Sequence, residues 1–421
     1  MSRLKDIEQI IMEARSIVNT KSSKMEDISI YNTEKVLKAF AKFKVADYYF
    51  KASNGYAYSD MGREVLDNIY AEIFGAQSAL VRTQFVSGTH ALAVALLGVL
   101  QSGDTILSAT GTPYDTMQTV IGHKKHVRGS LVDMGVSYAQ VELKKDGTPD
   151  LDAIAQSVND NTTMVFIQRS RGYSSRPSLN VEQIGNICKI VKNINPNTIC
   201  FVDNCYGEFT ETKEPTEVGA DLIAGSLIKN PGGGLAPTGG YIVGRSDLVE
   251  AASYRLTAPG LGADMGASLG DSTRLLYQGL FLAPHVVMQA LKGAIFTSAV
   301  FAELGYEVFP TVDDMRSDII QAINFGTKEK LLAFCQAIQR YSPVDSHVLP
   351  VGGDLPGYED SVVMAAGTFV QGASIELSAD APLREPFRAY LQGGLTYEHV
   401  LAAVRAAARD IVKIQLLLYI D

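Results

Sequence analysis

The sequence lacks the features that mark several broad classes of protein. Its 421 residues contain four cysteines, and no two of them form a CxxC pair, which argues against a disulfide framework and against a zinc site. The formal net charge is -9, and no basic stripe is available to meet phosphates, so a nucleic-acid partner is not expected. No run reaches the ~18 uncharged apolar residues that would span a bilayer.

The beginning of the chain also lacks the pattern of an export signal. Charged residues are mixed throughout "MSRLKDIEQIIMEARSIVNTKSSKMEDISI", whereas a signal peptide has an uninterrupted apolar core. With 46% hydrophobic and 20% charged residues, the composition is that of a globular protein. We therefore expect a cytoplasmic protein that contacts no membrane.

What the sequence does have is a regular alternation of short apolar strands and helices. Residues 3 to about 45 first read as helical in two stretches, with Asn32 as the cap of the second. From about residue 79, strand-like runs such as "TMVFIQRS" and "TICFVDN" alternate with helical runs such as "VEQIGNICKIVKNI". This alternation predicts an α/β fold with a mostly parallel central sheet that helices cover on both faces.

Three regions follow from this pattern. Residues 1–48 are predicted to form an N-terminal helical segment, residues 49–290 a large α/β domain, and residues 291–421 a small α+β domain at the C-terminal end. A long apolar-faced helix, "PHVVMQALKGAIFTSAVFAELGY", is expected to link the two domains from near residue 285.

One lysine stands among small residues at the end of a predicted strand. Lys229 follows "DLIAGSL" closely and precedes three glycines. Ligands of such sheets bind beyond the carboxyl ends of the strands, and a lysine that small neighbours leave accessible is suited to form a Schiff base with a carbonyl. If the carbonyl belongs to an aldehyde cofactor, the site also needs a phosphate cradle, an anion for a pyridinium proton, and a flat covering face.

Other strand ends offer candidates for each of these needs. For the cradle, the start of a predicted helix supplies Ser87, Gly88, Thr89 and His90, and Ser226 adds a hydroxyl. Free backbone N–H groups at a helix start, with hydroxyls beside them, suit a phosphate.

The anion and the flat face come from two further strands. Asp203 ends the apolar run "CFVD", where burial makes a cation a favourable partner. Tyr114 lies in a turn after the strand "DTILSAT", and His90 is a second candidate for the face. Each feature alone is common, but their joint occurrence at strand ends of one parallel sheet indicates a cofactor site.

This ordered set, "SGTH", Tyr114, "VDN" and "SLIK", resembles that of fold-type I pyridoxal-phosphate (PLP) enzymes, the aspartate aminotransferase superfamily. It is similar above all to the Cys/Met-metabolism branch. "NPGGGLAPTGGYIVG", "TFVQGASIELSADAPLREP" and "AYLQGGLTYEH" further resemble the methionine gamma-lyase-like group that is often labelled aluminium-resistance proteins. The resemblance spans roughly residues 50 to 415 and implies PLP as the cofactor.

The resemblance implies a role for each matching residue. Lys229 matches the lysine that forms the Schiff base, and Asp203 matches the partner of the pyridine nitrogen. Tyr114 matches the tyrosine that stacks on the ring, and it is a candidate acid or base toward the leaving thiol. The positions that match phosphate-binding residues are Gly88, Thr89 and Ser226, with Ser87 and His90 beside them.

Three positions depart from the family pattern. Tyr58 matches a tyrosine that reaches the phosphate of the neighbouring subunit, but Asp60 stands where an arginine is usual, and Arg63 is the candidate substitute. His90 follows the Ser-Gly-Thr run, which is the second departure. The third is "SRGYSSRPSLN" (170–180), which stands where lyases commonly have an Asn-Pro-containing loop.

The match of Tyr58 implies a homo-oligomer with shared active sites, at least a dimer, and tetramers are common among relatives. The resemblance also implies an arginine that holds the carboxylate of a small-molecule amino-acid substrate. Arg384 of the small domain is the first candidate, and Arg171 and Arg176 are candidates from the large domain.

The reaction implied is β- or γ-elimination from a sulfur-containing amino acid that resembles cystathionine or methionine. Lys229 is the expected general base at Cα, and Asp203 would keep the pyridine nitrogen protonated so that the ring accepts electrons. Three alternatives stay open. They are an aminotransferase, a threonine-type aldolase with His90 stacked on the ring, and a PLP-carrying protein without turnover.

Overall fold

The structure is a computed structural model, and it describes residues 7–56, 60–124, 126–174, 176–354 and 360–417. Its α-helices are α1 (Ile7–Lys42), α2 (Met61–Ile73), α3 (Gly88–Val99), α4 (Asp115–Ile121), α5 (Leu151–Ser157), α6 (Val181–Ile194), α7 (Ser246–Leu256), α8 (Ser272–Glu303), α9 (Lys328–Arg340) and α10 (Tyr397–Leu417). Its strands are β1 (Ser78–Arg82), β2 (Thr105–Ser108), β3 (Ser137–Gln140), β4 (Met164–Gln168), β5 (Ile199–Asp203), β6 (Leu222–Ser226), β7 (Gly240–Gly244), β8 (Glu307–Phe309), β9 (Ile320–Asn324), β10 (Gly352–Gly353), β11 (Val362–Ala365), β12 (Ser378–Pro382) and β13 (Arg388–Gln392).

The larger sheet has seven described strands in the order β1-β7-β6-β5-β4-β2-β3. The pairs from β6 through β5, β4 and β2 to β3 are parallel, and β7 runs antiparallel to both of its neighbours. This arrangement confirms the α/β fold with a mostly parallel central sheet. Because the carboxyl ends of β2, β4, β5 and β6 meet at one edge, the residues that follow them lie close together.

Both faces of the central strands β4, β5, β6 and β7 are buried, which explains their apolar runs in the sequence. Val165 and Ile167 of β4 belong to one hydrophobic cluster, whereas Met164 and Phe166 belong to a second cluster on the opposite face. Side chains alternate between the faces of a strand, so a strand covered on both sides is apolar at every position.

A second sheet, formed by the described strands β10-β11-β12-β13-β9-β8, is antiparallel throughout. α9 packs against β11, β12 and β13, and α10 packs on α9 and α8. The C-terminal part of the chain therefore has the α+β character that the sequence predicts. α8 crosses residue 290, the predicted boundary between the two domains.

α8 begins at Ser272, whereas the predicted linking helix began near residue 285. The sequence prediction was wrong because Pro284 resembles a helix start, where its missing N–H costs nothing. In the structure Pro284 lies inside the helix, and the hydroxyl of Ser29 on α1 donates a hydrogen bond to its carbonyl at 3.2 Å. Packing of α1 along α8 stabilises the helix through this position.

By length and composition, α8 contains an 18-residue window apolar enough to cross a membrane, but 72% of that window is buried inside the protein. The window is therefore explained by its place in the core. Val286, Val287 and Phe296 of this helix all belong to the main hydrophobic cluster.

Two further predictions were wrong. α1 is one continuous helix, and Asn32 is not a cap: its buried amide donates hydrogen bonds to the carbonyls of Phe209 (3.4 Å) and Glu211 (3.0 Å). The strand predicted over "ASIELSA" begins only at Ser378. The reason is that the carboxylate of Glu376 accepts hydrogen bonds from two backbone N–H groups, which holds the preceding residues in a loop.

α8 also contacts the loop that follows Lys229. Gly279 of α8 lies so close to this loop that a Cβ added to it would be 2.2 Å from the carbonyl oxygen of Gly232. A contact of this length with backbone forces one segment to move. The bare backbone at Gly279 thus helps to fix the position of the loop.

We predict that Gly279→Ala lowers the free energy of unfolding by about 1–3 kcal/mol, because the new methyl group overpacks the contact. Denaturant titration measures this change, and Gly353→Ala is the control, since a Cβ there meets nothing within 4 Å. Equal stability of both variants would contradict the account of this contact.

Candidate active site

A cavity of about 910 Å³ lies at the carboxyl edge of the parallel strands and extends to the small-domain sheet. It brings together most of the residues that the sequence singled out. The predicted residues that line it are Ser87, Gly88, Thr89, Tyr114, Arg171, Arg176, Asp203, Ser226, Lys229 and Arg384.

Lys229 follows β6 and turns its ammonium group into this cavity. Its Nζ lies 4.0 Å from the centre of the Tyr206 ring, which is a cation–π contact. Burial lowers the pKa of Lys229, but Cys205, Tyr206 and then Asp203 raise it more, so the net pKa lies well above the usual lysine value. Without a cofactor, the side chain is therefore an ammonium ion.

Asp203 ends β5 and provides a buried carboxylate in the same cavity. It is 4% exposed, and one oxygen accepts a hydrogen bond from the backbone N–H of Cys205 at 3.1 Å. Burial raises the pKa of Asp203 above its ordinary value, and the Lys229 ammonium opposes that rise. A carboxylate in such surroundings favours a cationic partner.

The start of α3 forms a cradle beside these two charges. The Ser87 hydroxyl caps the helix by accepting a hydrogen bond from the N–H of His90 at 3.0 Å. A Cβ on Gly88 would lie 3.1 Å from the Ser226 Cβ and 3.9 Å from the Lys229 Nζ. A side chain at Gly88 would therefore fill the space between helix and lysine.

Ser226 supplies the clearest sign that this cradle receives a ligand. It is 1% exposed, and its hydroxyl has no hydrogen-bond partner among the described residues. A buried polar atom that is left unpaired costs free energy. A helix N-terminus, an unpaired hydroxyl and a lysine amine together suit a phosphate-bearing aldehyde, so the residues present fit PLP.

Tyr114 occupies the turn before α4, as expected, and its position is fixed from two sides. Its hydroxyl lies 2.9 Å from the hydroxyl of Thr89, and its backbone N–H donates to Oε1 of Gln168 at 2.9 Å. Burial, with the charge of Asp203, raises the pKa of Tyr114 well above that of a free phenol. The Tyr114 side chain is therefore a neutral phenol.

The three candidate arginines differ in how their guanidinium groups are engaged. Arg176 donates to the backbone carbonyls of Pro177 (3.0 Å), Gln168 (2.7 Å) and Ser170. Arg384 is paired at 2.8 Å with Asp360 near the surface.

Arg171 is 3% exposed and lies 3.8 Å from Asp318, and its Nε finds no hydrogen-bond acceptor among the described residues. Of the three candidates, the structure leaves Arg171 the least engaged with protein acceptors.

His90 and Arg63 do not line the cavity of this chain. Their role in cofactor binding stays a prediction, because Arg63 was proposed beside Tyr58, which is expected to reach the neighbouring subunit. The His90 ring accepts a hydrogen bond from the N–H of Val86 at 3.1 Å and meets Phe85 edge-on. These two contacts hold the imidazole ring away from the cavity. Arg63 is buried, and it donates to the carbonyls of Gly266 (2.8 Å) and Asp264 (3.0 Å). The third such candidate, Tyr58, lies outside the described residues.

The sequence reasoning missed two residues next to Asp203. Cys205 and Tyr206 line the cavity beside Lys229, although both stand in the quoted run "CFVDNCYG". Tyr206 has a φ of 71°, a left-handed conformation that is uncommon for a residue other than glycine. The amide of Asn230 donates to the Tyr206 carbonyl at 3.0 Å and helps to hold this turn.

The sequence reasoning also missed the buried hydrogen-bond network that holds the turn after Asp203. Arg169 is completely buried and binds Glu211 at 2.9 Å, Glu214 at 3.4 Å and the side-chain oxygen of Asn204 at 2.8 Å. Asn204 directly follows Asp203, so this network anchors the turn that carries the carboxylate. A buried arginine after an apolar strand was the available signal, since such a charge requires partners.

The sequence and the structure both match known proteins. The methionine gamma-lyase family model matches residues 7–412. YnbB of Bacillus subtilis strain 168, described as uncharacterized, is 51% identical over 412 residues, which cover 98% of each chain. A Listeria monocytogenes structure, described as a candidate cystathionine beta-lyase involved in aluminum resistance, is 52% identical, covers 96% of this chain and 100% of its own, and has a TM-score of 0.93. A carbon-sulfur lyase involved in aluminum resistance from Clostridium novyi NT is 50% identical, with 96% and 95% coverage and a TM-score of 0.91.

More distant structures share the fold alone. They include the PLP-dependent protein YhfS of Escherichia coli, at 16% identity and a TM-score of 0.61, and the methionine gamma lyase CalE6 of Micromonospora echinospora, at 18% and 0.55. The chain therefore belongs to the methionine gamma-lyase family, has the fold of type I PLP-dependent enzymes, and takes pyridoxal 5'-phosphate as its cofactor.

Proposed function

We propose that this protein is a PLP-dependent carbon–sulfur lyase that acts on a sulfur-containing amino acid by β- or γ-elimination. The observation that carries the proposal is the convergence of Lys229, Asp203, Tyr114 and the Gly88–Ser226 cradle on one cavity. The family match supports the same class of reaction. The products would be a thiol, a 2-keto acid and ammonia.

PLP, when bound, supplies an aldehyde that takes up the amino group of the substrate and a ring that accepts an electron pair from Cα. Lys229 would hold this aldehyde and, once released, take the proton from Cα as the general base. The ring of Tyr206, 4.0 Å from Nζ, would hold the resulting ammonium group. The carboxylate of Asp203 would keep a proton on the pyridine nitrogen.

Tyr114 would protonate the departing sulfur. As a neutral phenol it has a proton to give, and its hydrogen bonds to Thr89 and Gln168 hold the ring in place. A thiol leaves more easily than a thiolate, because protonation removes the negative charge that develops on the sulfur.

Arg171 would bind the carboxylate of the substrate, because it is the buried cavity arginine that other acceptors leave most available. A charge-assisted pair of this kind fixes the orientation of the amino acid. Arg384, which is paired with Asp360, would act at most at the mouth of the cavity.

The threonine-aldolase alternative depended on a His90 ring stacked on the cofactor. The structure does not support it, because the His90 ring does not line the cavity. An aminotransferase would use the same residues and is distinguished by its products. It would exchange the amino group with a keto acid and release neither ammonia nor thiol.

We also propose a homo-oligomer, at least a dimer, in the cytoplasm. Large apolar side chains are exposed on the surface of the protein, among them Tyr56 (68%), Val86 (78%), Leu261 (48%) and Leu269 (70%). Val86 lines the cavity itself, so a second copy on this surface would adjoin the active site. Exposed apolar side chains of this kind mark interaction surfaces.

The proposed location in the cytoplasm is supported by the cysteines. All four are free and buried, which fits a reducing compartment.

The test of the reaction is a substrate panel of cystathionine, cysteine, methionine, homocysteine and threonine, with release of thiol, keto acid and ammonia measured. We expect the wild-type protein to change the PLP absorption spectrum and to release all three products from a sulfur-containing substrate. Lys229→Ala should lose both properties, since it removes the amine that binds the aldehyde. Lys189→Ala, at an exposed position of α6, is the matched control. An unaltered spectrum and activity in Lys229→Ala would refute the proposal.

The role of Arg171 is tested by steady-state kinetics. We predict that Arg171→Ala raises KM about tenfold or more, because a hydrogen-bonded charge pair with the substrate is lost. Arg384→Ala should change KM by less than about threefold, as expected of an exposed ion pair. Thermal unfolding identifies any variant that loses its fold, and Arg171→Lys keeps a charge beside Asp318. A larger effect of Arg384→Ala would reverse the assignment.

The oligomer is tested by light scattering during size-exclusion chromatography. Leu269→Asp should shift the wild-type mass to that of a monomer, because it places a charge in the apolar contact. Leu349→Asp, at another exposed leucine (62%), should keep the wild-type mass. A monomeric wild-type protein would contradict this part of the proposal.

A further inference from the structure

Asp380 is a buried acid that the proposed reaction does not use. It lies in β12, where it pairs with Tyr390 of β13, and it lines the same cavity as Lys229. Its exposed fraction is 7%. The cavity therefore has a second buried carboxylate, which comes from the small-domain sheet.

The contacts of Asp380 leave part of the carboxylate unused. Oδ2 accepts hydrogen bonds from the hydroxyl of Tyr173 at 2.9 Å and from the amide of Gln392 at 2.8 Å. Among the described residues, no hydrogen bond to Oδ1 and no cationic nitrogen within 4.0 Å of the carboxylate is present. Burial raises the pKa of Asp380, while the hydrogen bonds from Tyr173 and Gln392, and then the charge of Lys229, which forms no ion pair with it, lower it.

The donor Tyr173 is itself held firmly. Its ring packs on Tyr390 with 5.2 Å between the ring centres, and its carbonyl accepts a hydrogen bond from the Tyr390 hydroxyl at 2.7 Å. Tyr173 stands in the stretch 170–180, which departs from the family pattern. The residue that orients Asp380 at the cavity, Tyr173, thus belongs to the stretch in which the sequence differs from the family pattern.

A buried carboxylate whose hydrogen-bond donors are all neutral is costly, and a cation in direct contact is the partner that offsets the cost. The Lys229 ammonium is not such a partner, because it acts on Asp380 only as a charge across the cavity. An anchor for Tyr173 alone would not require a charge, since a neutral acceptor would satisfy one hydroxyl. The arrangement therefore favours a cation-binding site that an incoming ligand completes.

The cation cannot be the α-amino group of the substrate, because the cofactor aldehyde takes up that group. In the proposed function, Arg171 binds the α-carboxylate. The remaining part of the substrate is the group attached to sulfur.

We propose that Asp380, with Tyr173 and Gln392, forms a subsite for a primary ammonium group carried by the sulfur substituent of the substrate. This inference rests on the proposed lyase function and narrows it. The substrates are amino acids whose leaving thiol bears a second positive charge, and uncharged thioethers are poor substrates.

The experiment compares two probes with the PLP-loaded enzyme. S-(2-aminoethyl)-L-cysteine and S-propyl-L-cysteine have sulfur substituents of equal length, and they differ in an ammonium group in place of a methyl group. We expect kcat/KM to favour the aminoethyl probe about tenfold or more in the wild-type enzyme. Asp380→Asn should bring this ratio close to one, because it removes the charge and keeps the shape. Asp152→Asn, at an exposed position of α5, should keep the wild-type ratio.

The outcomes separate the two proposals. If both probes release thiol with a wild-type ratio near one, or if Asp380→Asn keeps the preference, the subsite is refuted while the lyase function stands. If neither these probes nor the substrate panel release thiol, the lyase function fails, and calorimetric binding of the two probes then decides about the subsite. Tighter binding of the aminoethyl probe supports it, and equal binding refutes it. The comparison of the two probes with the wild-type enzyme tests the subsite even if the Asp380→Asn variant does not fold.

Discussion

The structure depends on a pair of opposite charges buried at one edge of the parallel sheet. Asp203 ends β5 and Lys229 follows the adjacent parallel strand β6, so the sheet places both residues at the same edge. Burial alone would disfavour both charges, and each raises the stability of the charged form of the other. The Arg169 network and the glycine contact with α8 hold the two turns that carry them. An aldehyde cofactor with a basic ring nitrogen fits between such a base and such an acid.

The sequence predicted the parts of the site that a parallel sheet brings together by its topology. Asp203, Tyr114, Ser226 and Lys229 all follow or end strands, so the alternation of strands and helices was sufficient to place them on one edge. It was not sufficient for His90, because the choice between the cavity and the N–H of Val86 depends on the rotamer of one side chain. Tyr206 was missed for a related reason, since its left-handed backbone is decided by tertiary contacts such as that of Asn230.

The parts contributed by the small domain were harder to predict. The edge of that sheet depends on where β12 begins, and Glu376 sets this through backbone hydrogen bonds that no periodicity records. Arg384 was the first candidate from the sequence, and the structure pairs it with Asp360 while it lines the cavity together with Asp380, which the sequence reasoning did not single out. In the proposed function, the choice of substrate depends on long-range contacts such as the hydrogen bond between Tyr173 and Asp380 of the small domain. The choice of cofactor depends on the large sheet, which the sequence describes well.

The central claim is the covalent attachment of PLP to a single lysine. The most direct measurement is borohydride reduction of the PLP-loaded protein, followed by proteolysis and mass spectrometry of the peptides. The account predicts a phosphopyridoxyl group on the peptide that contains Lys229, and on no other peptide in comparable yield. Labelling of a different lysine, or labelling spread over surface lysines, would contradict it.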